Sequence, residues 1–229
     1  MTILLKNLTA RTPDARDFAA LTGLMDACEK AENRAGGGEL ADQLSEWRRL
    51  DFHLASDAWV IVTNKGQLVG FACLWHQEHA RLTTFLCVHP EYRQRGIGTL
   101  LLRMIEVRAR EHMHQADSRQ RVVLQGLLSS ANTGARRLFE REGYQVGRPF
   151  LRISFTLHAE HTRQDQPETS HLYTIDLGLE QQGQLLSASA PGEQEVLYHV
   201  QLYQTYEKEL RAATCNAPTA PAALQTVGA

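Results

Sequence analysis

Apolar and polar positions follow two kinds of pattern along the chain, and each kind predicts an element. Period-two alternation and short apolar runs, rich in β-branched and aromatic residues, predict strands. These segments occupy 3–8, 58–63, 68–75, 81–88, 121–128, 144–146 and 150–157. Apolar residues at helical spacing predict helices that begin near residues 13, 39, 98 and 132. Because strands and helices are interleaved, we predict a mixed α/β fold.

The region after residue 158 has a different pattern. Residues 171–177 and 196–206 alternate like two strands, and the loop between them is rich in Gly, Ser, Ala and Pro. We therefore predict a domain over 1–158, a linker over 159–170, a C-terminal β-hairpin extension over 171–211 and a disordered tail over 212–229. An isolated hairpin is marginal in water, so we expect it to pack on the main sheet or on a second copy in a homodimer.

The composition is that of an ordinary globular protein. The 229 residues are 43% hydrophobic and 22% charged, with a net charge of −2, which predicts no attraction to nucleic acid or to a membrane surface. No stretch is long enough to span a bilayer, and the N-terminus lacks a secretory pattern. The four cysteines show no paired spacing, so we predict reduced thiols in a cytoplasmic protein.

Two histidine pairs are the sequence's candidates for metal ligands. They are His112 with His114 and His158 with His161. Neither pair has a cysteine or an acidic residue at ligand spacing. The sequence therefore predicts no metal site.

A strand, a basic glycine turn and a helix over 85–110 form the segment with the clearest chemistry. Pro90 ends the strand, and Gly96 and Gly98 lie where the helix begins. The first N–H groups of a helix have no intrahelical partner and carry the positive end of the macrodipole. Arg93 and Arg95 add forked donors for phosphate oxygens. We interpret this turn as a binding site for a pyrophosphate.

The order of residues in the turn narrows the class of ligand. A Walker loop needs Lys-Ser or Lys-Thr after Gly98, and a dinucleotide fingerprint needs a third glycine where Leu101 stands. Residues 93–98, Arg-Gln-Arg-Gly-Ile-Gly, instead resemble the Arg/Gln-x-x-Gly-x-Gly signature of the GNAT superfamily of N-acetyltransferases, and 86–92 resemble its lead-in. The resemblance implies that acetyl-CoA is held by Leu86, Cys87, Val88, Arg93, Gln94, Arg95, Gly96, Ile97, Gly98 and Thr99.

A second segment carries the same resemblance further along the chain. Residues 132–144 are similar to the family signature Asn-x-x-Ala-x-x-Leu-Tyr-x-x-x-Gly-Phe/Tyr, and 69–72 resemble its second-to-third-strand hairpin. The resemblance implies a GNAT fold and a contact between Asn132 and the pantetheine arm, a role that is compatible with helix capping. The spacing of Trp47, Asp57 and Trp59 is similar to that of the mycothiol-synthase-like branch.

The resemblance also implies a reaction, the transfer of an acetyl group from acetyl-CoA to a primary amine by direct attack in a ternary complex. A backbone N–H of Cys87 or Val88 would bind the oxyanion. Phe139 stands where the family usually has the tyrosine that acts as general acid, so Tyr144 is the remaining candidate for that role. Cys87 as a covalent nucleophile is the alternative to a buried structural thiol.

The general base stays open at this point. The central strands offer Thr83, Thr84 and Gln125 but no carboxylate. The turn with His76, Glu78 and His79 and the helix end with Glu29 and Glu32 are candidates, although solvated polar residues are the favoured interpretation of both. A chain of water molecules is a further route for the proton.

Two other classes of function compete with catalysis. A non-catalytic acyl-CoA-binding or regulatory protein would explain Phe139 and the missing carboxylates. An assembly role would use the C-terminal strands to pair with another subunit. The amine itself is open between a small molecule, an antibiotic, a peptide N-terminus and a protein lysine.

Overall fold

A computed structural model describes residues 3–5, 7–32, 54–158, 170–178 and 198–213. Its helices are α1 (Phe18–Ala31), α2 (Leu54–Asp57), α3 (Ile97–Met113) and α4 (Thr133–Arg141), with short 3-10 turns at Ala15–Asp17 and Pro90–Tyr92. Its strands are β1 (Ile3–Leu5), β2 (Leu8–Arg11), β3 (Ala58–Thr63), β4 (Leu68–Gln77), β5 (Arg81–Val88), β6 (Val122–Ser129), β7 (Gln145–His158), β8 (Ser170–Gly178) and β9 (Tyr198–Arg211). The predicted helix near residue 39, most of the linker and almost all of the tail lie outside the described residues.

The described strands form one nine-stranded sheet in the order β1-β2-β3-β4-β5-β6-β9-β7-β8. Every neighbouring pair is antiparallel except β5 and β6, which are parallel. The helix α3 connects this parallel pair, as a crossover between parallel strands requires. The predicted mixed α/β fold is confirmed.

The pairing of the last two strands corrects the predicted C-terminal hairpin. β8 and β9 do not pair with each other; they pair with opposite edges of β7. β9 also pairs with the whole length of β6 through its residues Tyr203–Arg211, so it lies inside the sheet. The hairpin interpretation was wrong because alternation along a strand shows which residues share a face and carries no information about its neighbour.

α1 and α3 cover opposite faces of the sheet. Successive strand residues point to opposite faces, so Phe71 and Cys73 of β4 pack on α1, whereas Ala72 and Leu74 pack on α3. The side chains that α1 buries are Leu21, Leu24, Met25 and Cys28, and those that α3 buries include Ile97, Leu101, Leu102 and Ile105. The N-terminal end of α3 is thereby fixed beside the end of β5.

The sheet opens between β5 and β6. Their pairing runs from Arg81 and Val123 only as far as Thr84 and Gly126. Beyond this point β5 follows β4 while β6 follows β9, and the two strands separate. The ring of Phe139 lies against Gly126, where an added Cβ would stand 2.4 Å from Cε1 of the ring. Gly126 therefore lets an aromatic ring lie directly on the backbone where the pairing stops.

Candidate active site

The gap between β5 and β6 continues into a cleft of about 890 Å³. Its walls come from the separated strand ends, the beginnings of α3 and α4, and the end of α1. Nine residues that the sequence assigns to the cofactor line it, namely Leu86, Cys87, Val88, Arg93, Gln94, Gly96, Gly98, Thr99 and Asn132. Two segments about 40 residues apart in the chain thus meet at one cavity of the size that holds organic ligands.

The turn before α3 exposes backbone donors to this cleft. Gln94 and Gly96 have φ of 63° and 82°, in the left-handed region that glycine adopts without strain. Gly96 is the N-cap of α3 and provides no side chain to cap it. A Cβ at Gly98 would lie 3.1 Å from Leu138 Cδ2, so this glycine permits the close contact between α3 and α4. The first amides of α3 are left for a ligand from the cleft, and an anion suits that helix end.

The two arginines of the turn have different positions. Arg93 lines the cleft; its Nε donates to the Val88 carbonyl at 3.2 Å and its Nη2 to Glu32 at 3.1 Å. Arg95 is exposed, and its guanidinium lies 4.8 Å from the centre of the Tyr92 ring. Ile97, which the resemblance also assigned to the cofactor, is buried in the core below α3. The structure therefore brings Arg93 to the cleft but neither Arg95 nor Ile97.

The backbone of β5 distinguishes the two predicted oxyanion donors. In an antiparallel ladder, successive residues direct their N–H groups to opposite sides. The N–H of His89 donates to the Val69 carbonyl at 2.9 Å, and Cys87 faces Phe71 in the same register. The amide of Cys87 consequently points to β4, and the amide of Val88 points into the gap. The geometry favours Val88 over Cys87 as the donor.

Asn132 and Glu32 meet across the cleft. The Oδ1 of Asn132 accepts from the Ala135 N–H at 2.9 Å, which is the capping role expected from the sequence. Its Nδ2 donates to Glu32 Oε1 at 2.6 Å, and the same oxygen accepts from Arg93. Glu32 therefore joins the two side chains that the family resemblance assigns to the arm and the phosphates of the cofactor.

Two cysteine thiols lie beside the gap. The thiol of Cys28 donates to the Val88 carbonyl at 3.3 Å. A hydrogen bond with Cys28 and burial raise the pKa of the Cys87 thiol well above its usual value. Cys87 is thus held as a neutral thiol, which favours the buried structural interpretation over a nucleophilic thiolate.

The candidate acid of the sequence, Tyr144, lies apart from the cleft. It is 4% exposed, its ring packs edge-on against Phe139 at 4.7 Å between centroids, and it does not line the cavity. Burial and the nearby Glu106 carboxylate raise the pKa of its hydroxyl. The structure therefore does not support Tyr144 as the acid, because its side chain is buried in the core and does not reach the cleft.

Some residues of the cleft were not found by sequence reasoning. Tyr203 of β9 is 3% exposed and lines the cavity beside Arg152 of β7, whose guanidinium lies 4.7 Å from its ring centre. Tyr203 pairs with Ser129 at the end of β6. Only the position of β9 in the sheet brings Tyr203 here, and the alternating pattern of 196–206 does not encode that position.

His76 and His79, which the sequence offered as bases, lie away from the cleft. His76 is near the end of β4 and His79 is in the turn between β4 and β5, next to the end of β5 that is remote from Val88. Their rings pack with His112 at the end of α3. Burial, followed by the neighbouring imidazoles His79 and His112, lowers the pKa of His76. Neither imidazole lines the cleft. The expectation of a solvated turn is also wrong for them, because they form a cluster.

Comparisons with known proteins agree with this geometry. Residues 55–146 match the model of the acetyltransferase (GNAT) domain. No curated protein sequence matches the chain. In the part of the chain that the structure describes, no helix has the length and apolar character needed to cross a membrane.

Solved structures share the architecture over most of the chain. A GCN5-related N-acetyltransferase from Sphaerobacter thermophilus is 17% identical with a TM-score of 0.68, covering 93% of this chain and 98% of its own. An acetyltransferase from Streptococcus agalactiae is 13% identical with a TM-score of 0.54, covering 90% of this chain and all of its own. An N-acetyltransferase from Staphylococcus aureus is 14% identical with a TM-score of 0.51 and the same coverages. At these identities the likeness shows the fold.

The family match and the fold agree with the two signatures around the cleft. They confirm the family and the cofactor that the sequence predicts, whereas the mycothiol-synthase-like branch stays a prediction. Residues 55–146 thus match the acetyltransferase domain of the GNAT family, whose members take the acetyl group from acetyl-CoA.

Proposed function

We propose that the protein transfers the acetyl group of acetyl-CoA to a primary amine by direct attack within a ternary complex. The observation that carries this proposal is the opening of the sheet after Thr84 and Gly126. It leaves the amide of Val88 at the floor of a cleft that already contains the amides of α3 and the side chain of Asn132. Acetyl-CoA would therefore enter the gap from one side and place its thioester there. The amine would approach the thioester from the other side.

The cofactor is assigned to the cleft in two parts. Its pyrophosphate would lie on the first amides of α3, with Arg93 supplying a charged donor. Its pantetheine arm would run along the unpaired edge of β5, where the backbone of Leu86 and Val88 faces the gap, and would contact Asn132. Leu86, Cys87, Val88, Gln94, Gly98 and Thr99 complete the proposed contacts.

The reaction needs three events at the thioester. The amine nitrogen attacks the carbonyl carbon, and the Val88 N–H donates to the oxygen as it gains charge. The C–S bond then breaks, and the sulfur takes a proton as the thiol of CoA leaves. We assign this proton to Tyr203, the one tyrosine among the described residues that lines the cleft. The amine would release its proton to water, and Tyr203 would regain a proton from water before the next turnover.

The proposal is tested by two measurements on the full chain. Calorimetry should show one acetyl-CoA bound per chain, and release of free CoA should become faster when members of a panel of primary amines are added. Replacement of Gly98 by Val should abolish both, because the new side chain meets Leu138 and forces apart the beginnings of α3 and α4 that line the cleft. Binding without transfer to any amine would contradict catalysis and leave the cofactor site intact.

A non-catalytic acyl-CoA-binding protein is the second candidate. Phe139, which is 1% exposed on Gly126, favours it, because this residue cannot donate the proton that the family's tyrosine supplies. The panel of amines separates the two candidates. Tight binding of acetyl-CoA together with hydrolysis and transfer rates no faster than those without protein would favour this second function.

Location and assembly are further parts of the proposal. The described cysteines Cys28, Cys73 and Cys87 are buried free thiols, which fits the reducing cytoplasm that the sequence predicts. The homodimer stays a prediction, and its basis moves from a hairpin to the outer edge of β8. Sedimentation of the full chain would measure the oligomeric mass.

A further inference from the structure

Three imidazoles form a cluster at the end of α3 opposite to the cleft. His76 belongs to β4, His79 to the turn between β4 and β5, and His112 to the last turn of α3. The ring centres of His76 and His79 are 3.9 Å apart, and His112 lies 4.5 Å and 5.2 Å from them. One ring nitrogen of each residue lies within 4.8 Å of the other two. His76 and His79 are three residues apart, and His112 lies more than 30 residues further along the chain.

A buried carboxylate orients the innermost ring. The Nε2 of His112 lies 3.1 Å from Oδ1 of Asp57, and both side chains are at most 5% exposed. A carboxylate only accepts, so Nε2 carries the proton and donates, and a neutral His112 has its lone pair on Nδ1. That Nδ1 lies 3.0 Å from Nδ1 of His79. A carboxylate that accepts from one nitrogen while the other faces a cluster is the arrangement of metal-binding histidines.

His76 and His79 are held in the cluster by energetically unfavourable features, namely an unsatisfied nitrogen and a strained turn. The Nδ1 of His76 is buried and has no hydrogen-bond partner among the described residues. Buried polar groups are rarely left unsatisfied, and a bound ion is one group that would satisfy this nitrogen. Glu78 and His79 have φ of 50° and 57° in a turn closed by the Ala80 N–H on the Gln77 carbonyl. Such turns prefer Asn-Gly, because both central residues have positive φ. The strained backbone brings the ring of His79 onto the cluster.

We propose that His76, His79 and His112 bind one divalent transition-metal ion of the Zn²⁺ class, with water in the fourth position. Tetrahedral zinc with bonds of about 2.0–2.1 Å to nitrogen separates its ligand atoms by roughly 3.3 Å, which is close to the spacing of the two Nδ1 atoms. Imidazole nitrogens suit zinc, copper and nickel, whereas Mg²⁺ and Ca²⁺ require oxygen ligands. The negative end of the α3 dipole adds a favourable interaction with a cation.

The charges around the cluster are compatible with an ion. Arg108 lies on the same helix and donates to Asp57 Oδ1 and to Glu111 Oε2, both at 2.6 Å. These two carboxylates offset its positive charge. The ion would then join the end of β4, the β4–β5 turn and the end of α3, at the opposite end of the helix from the acetyl-transfer cleft. Its role is therefore to fix the position of α3 against the sheet.

The experiment titrates Zn²⁺ into the full chain after removal of metals by a chelator. Calorimetry should show one tight site per chain, and Co²⁺ in its place should give the visible absorption of a tetrahedral complex with nitrogen ligands. The variant His79→Asn should lose more affinity than the roughly 10–100-fold that removal of an outer partner costs. Asn suits positive φ, so the same variant should unfold at a higher temperature than the metal-free parent.

The matched control is His114→Ala, because His114 is exposed on the same helix end and lies outside the cluster. It should bind Zn²⁺ with the affinity of the parent chain. Equal affinity of the parent and His79→Asn would overturn the proposal, as would octahedral Co²⁺ spectra. None of these readouts depends on acetyl transfer.

Discussion

The two ends of α3 carry proposed sites that are built in different ways. At its beginning, the groups that face the cleft are largely backbone amides of one short segment, and Gly96 and Gly98 keep their surroundings open. At its end, His112 meets His76 and His79 of the β4–β5 hairpin, and the Asp57 carboxylate contacts His112. The helix has 17 residues, so the two places are about 25 Å apart. A site made of local backbone leaves a motif in the sequence, whereas a site made of distant side chains does not.

The largest expected effect concerns the acid at the cleft. Tyr203→Phe removes the proposed proton donor and retains the ring that packs on Phe150. We expect kcat to fall at least about 100-fold while the KM for acetyl-CoA stays unchanged. Steady-state kinetics measure both constants. Unchanged kcat would mean that the leaving thiol takes its proton from water, and zinc affinity at the other helix end should be unaltered in either case.

The next effect concerns the place where the sheet opens. Gly126→Ala puts a Cβ 2.4 Å from Cε1 of Phe139, so the ring must move. We expect a loss of about 1–3 kcal/mol in the free energy of unfolding, measured by urea denaturation. The double variant Gly126→Ala/Phe139→Leu should lose less than the sum of the single variants. Additive losses would show that the ring and the glycine are not coupled.

A tenfold effect is expected from the two arginines of the turn. Arg93→Ala removes a charged donor from the cleft and should raise the dissociation constant of acetyl-CoA by about tenfold. Arg95→Ala is the matched control, because this exposed side chain stacks on Tyr92 and should change the constant by less than twofold or so. Calorimetry measures both. A larger effect at Arg95 would show that this side chain contacts the cofactor, as the family signature implies.

The smallest effect concerns Glu32. Its carboxylate occupies Arg93 and Asn132, which the cofactor needs, so Glu32→Gln should tighten acetyl-CoA binding by a factor of about two to five. Isothermal titration would detect the change. Weaker binding in the variant would show instead that Glu32 holds Arg93 and Asn132 in the geometry that the cofactor requires.

The parts of the site that the sequence predicts lie on continuous segments. Residues 86–99 and the cap Asn132 could be assigned through the resemblance to the family signatures, whose glycine and cap positions are local requirements of the backbone. Within those segments the sequence does not show which side chains point into the cleft. Arg95 and Ile97 therefore differ from their predicted positions, and the strand alternation that separates Val88 from Cys87 needed the register with β4.

The parts that could not be predicted depend on pairing across the fold. Tyr203 reaches the cleft because β9 lies between β6 and β7, and strands far apart in the chain carry no signal of that order. The sequence suggests His114 as the partner of His112. In the structure the ring partners of His112 are His76 of β4 and His79 of the following turn. The start of α1 shows a smaller error, since Asp14 caps a 3-10 turn before the helix begins at Phe18.

The place of β9 has a consequence for synthesis on the ribosome. β6 and β7 both pair with β9, which ends at Arg211. One edge of each strand therefore stays unpaired until Arg211 has left the ribosome. Unpaired strand edges template aggregation. A chain that stops at residue 158 is thus expected to precipitate or to be held by chaperones, and gene fragments cut there would yield no partial enzyme.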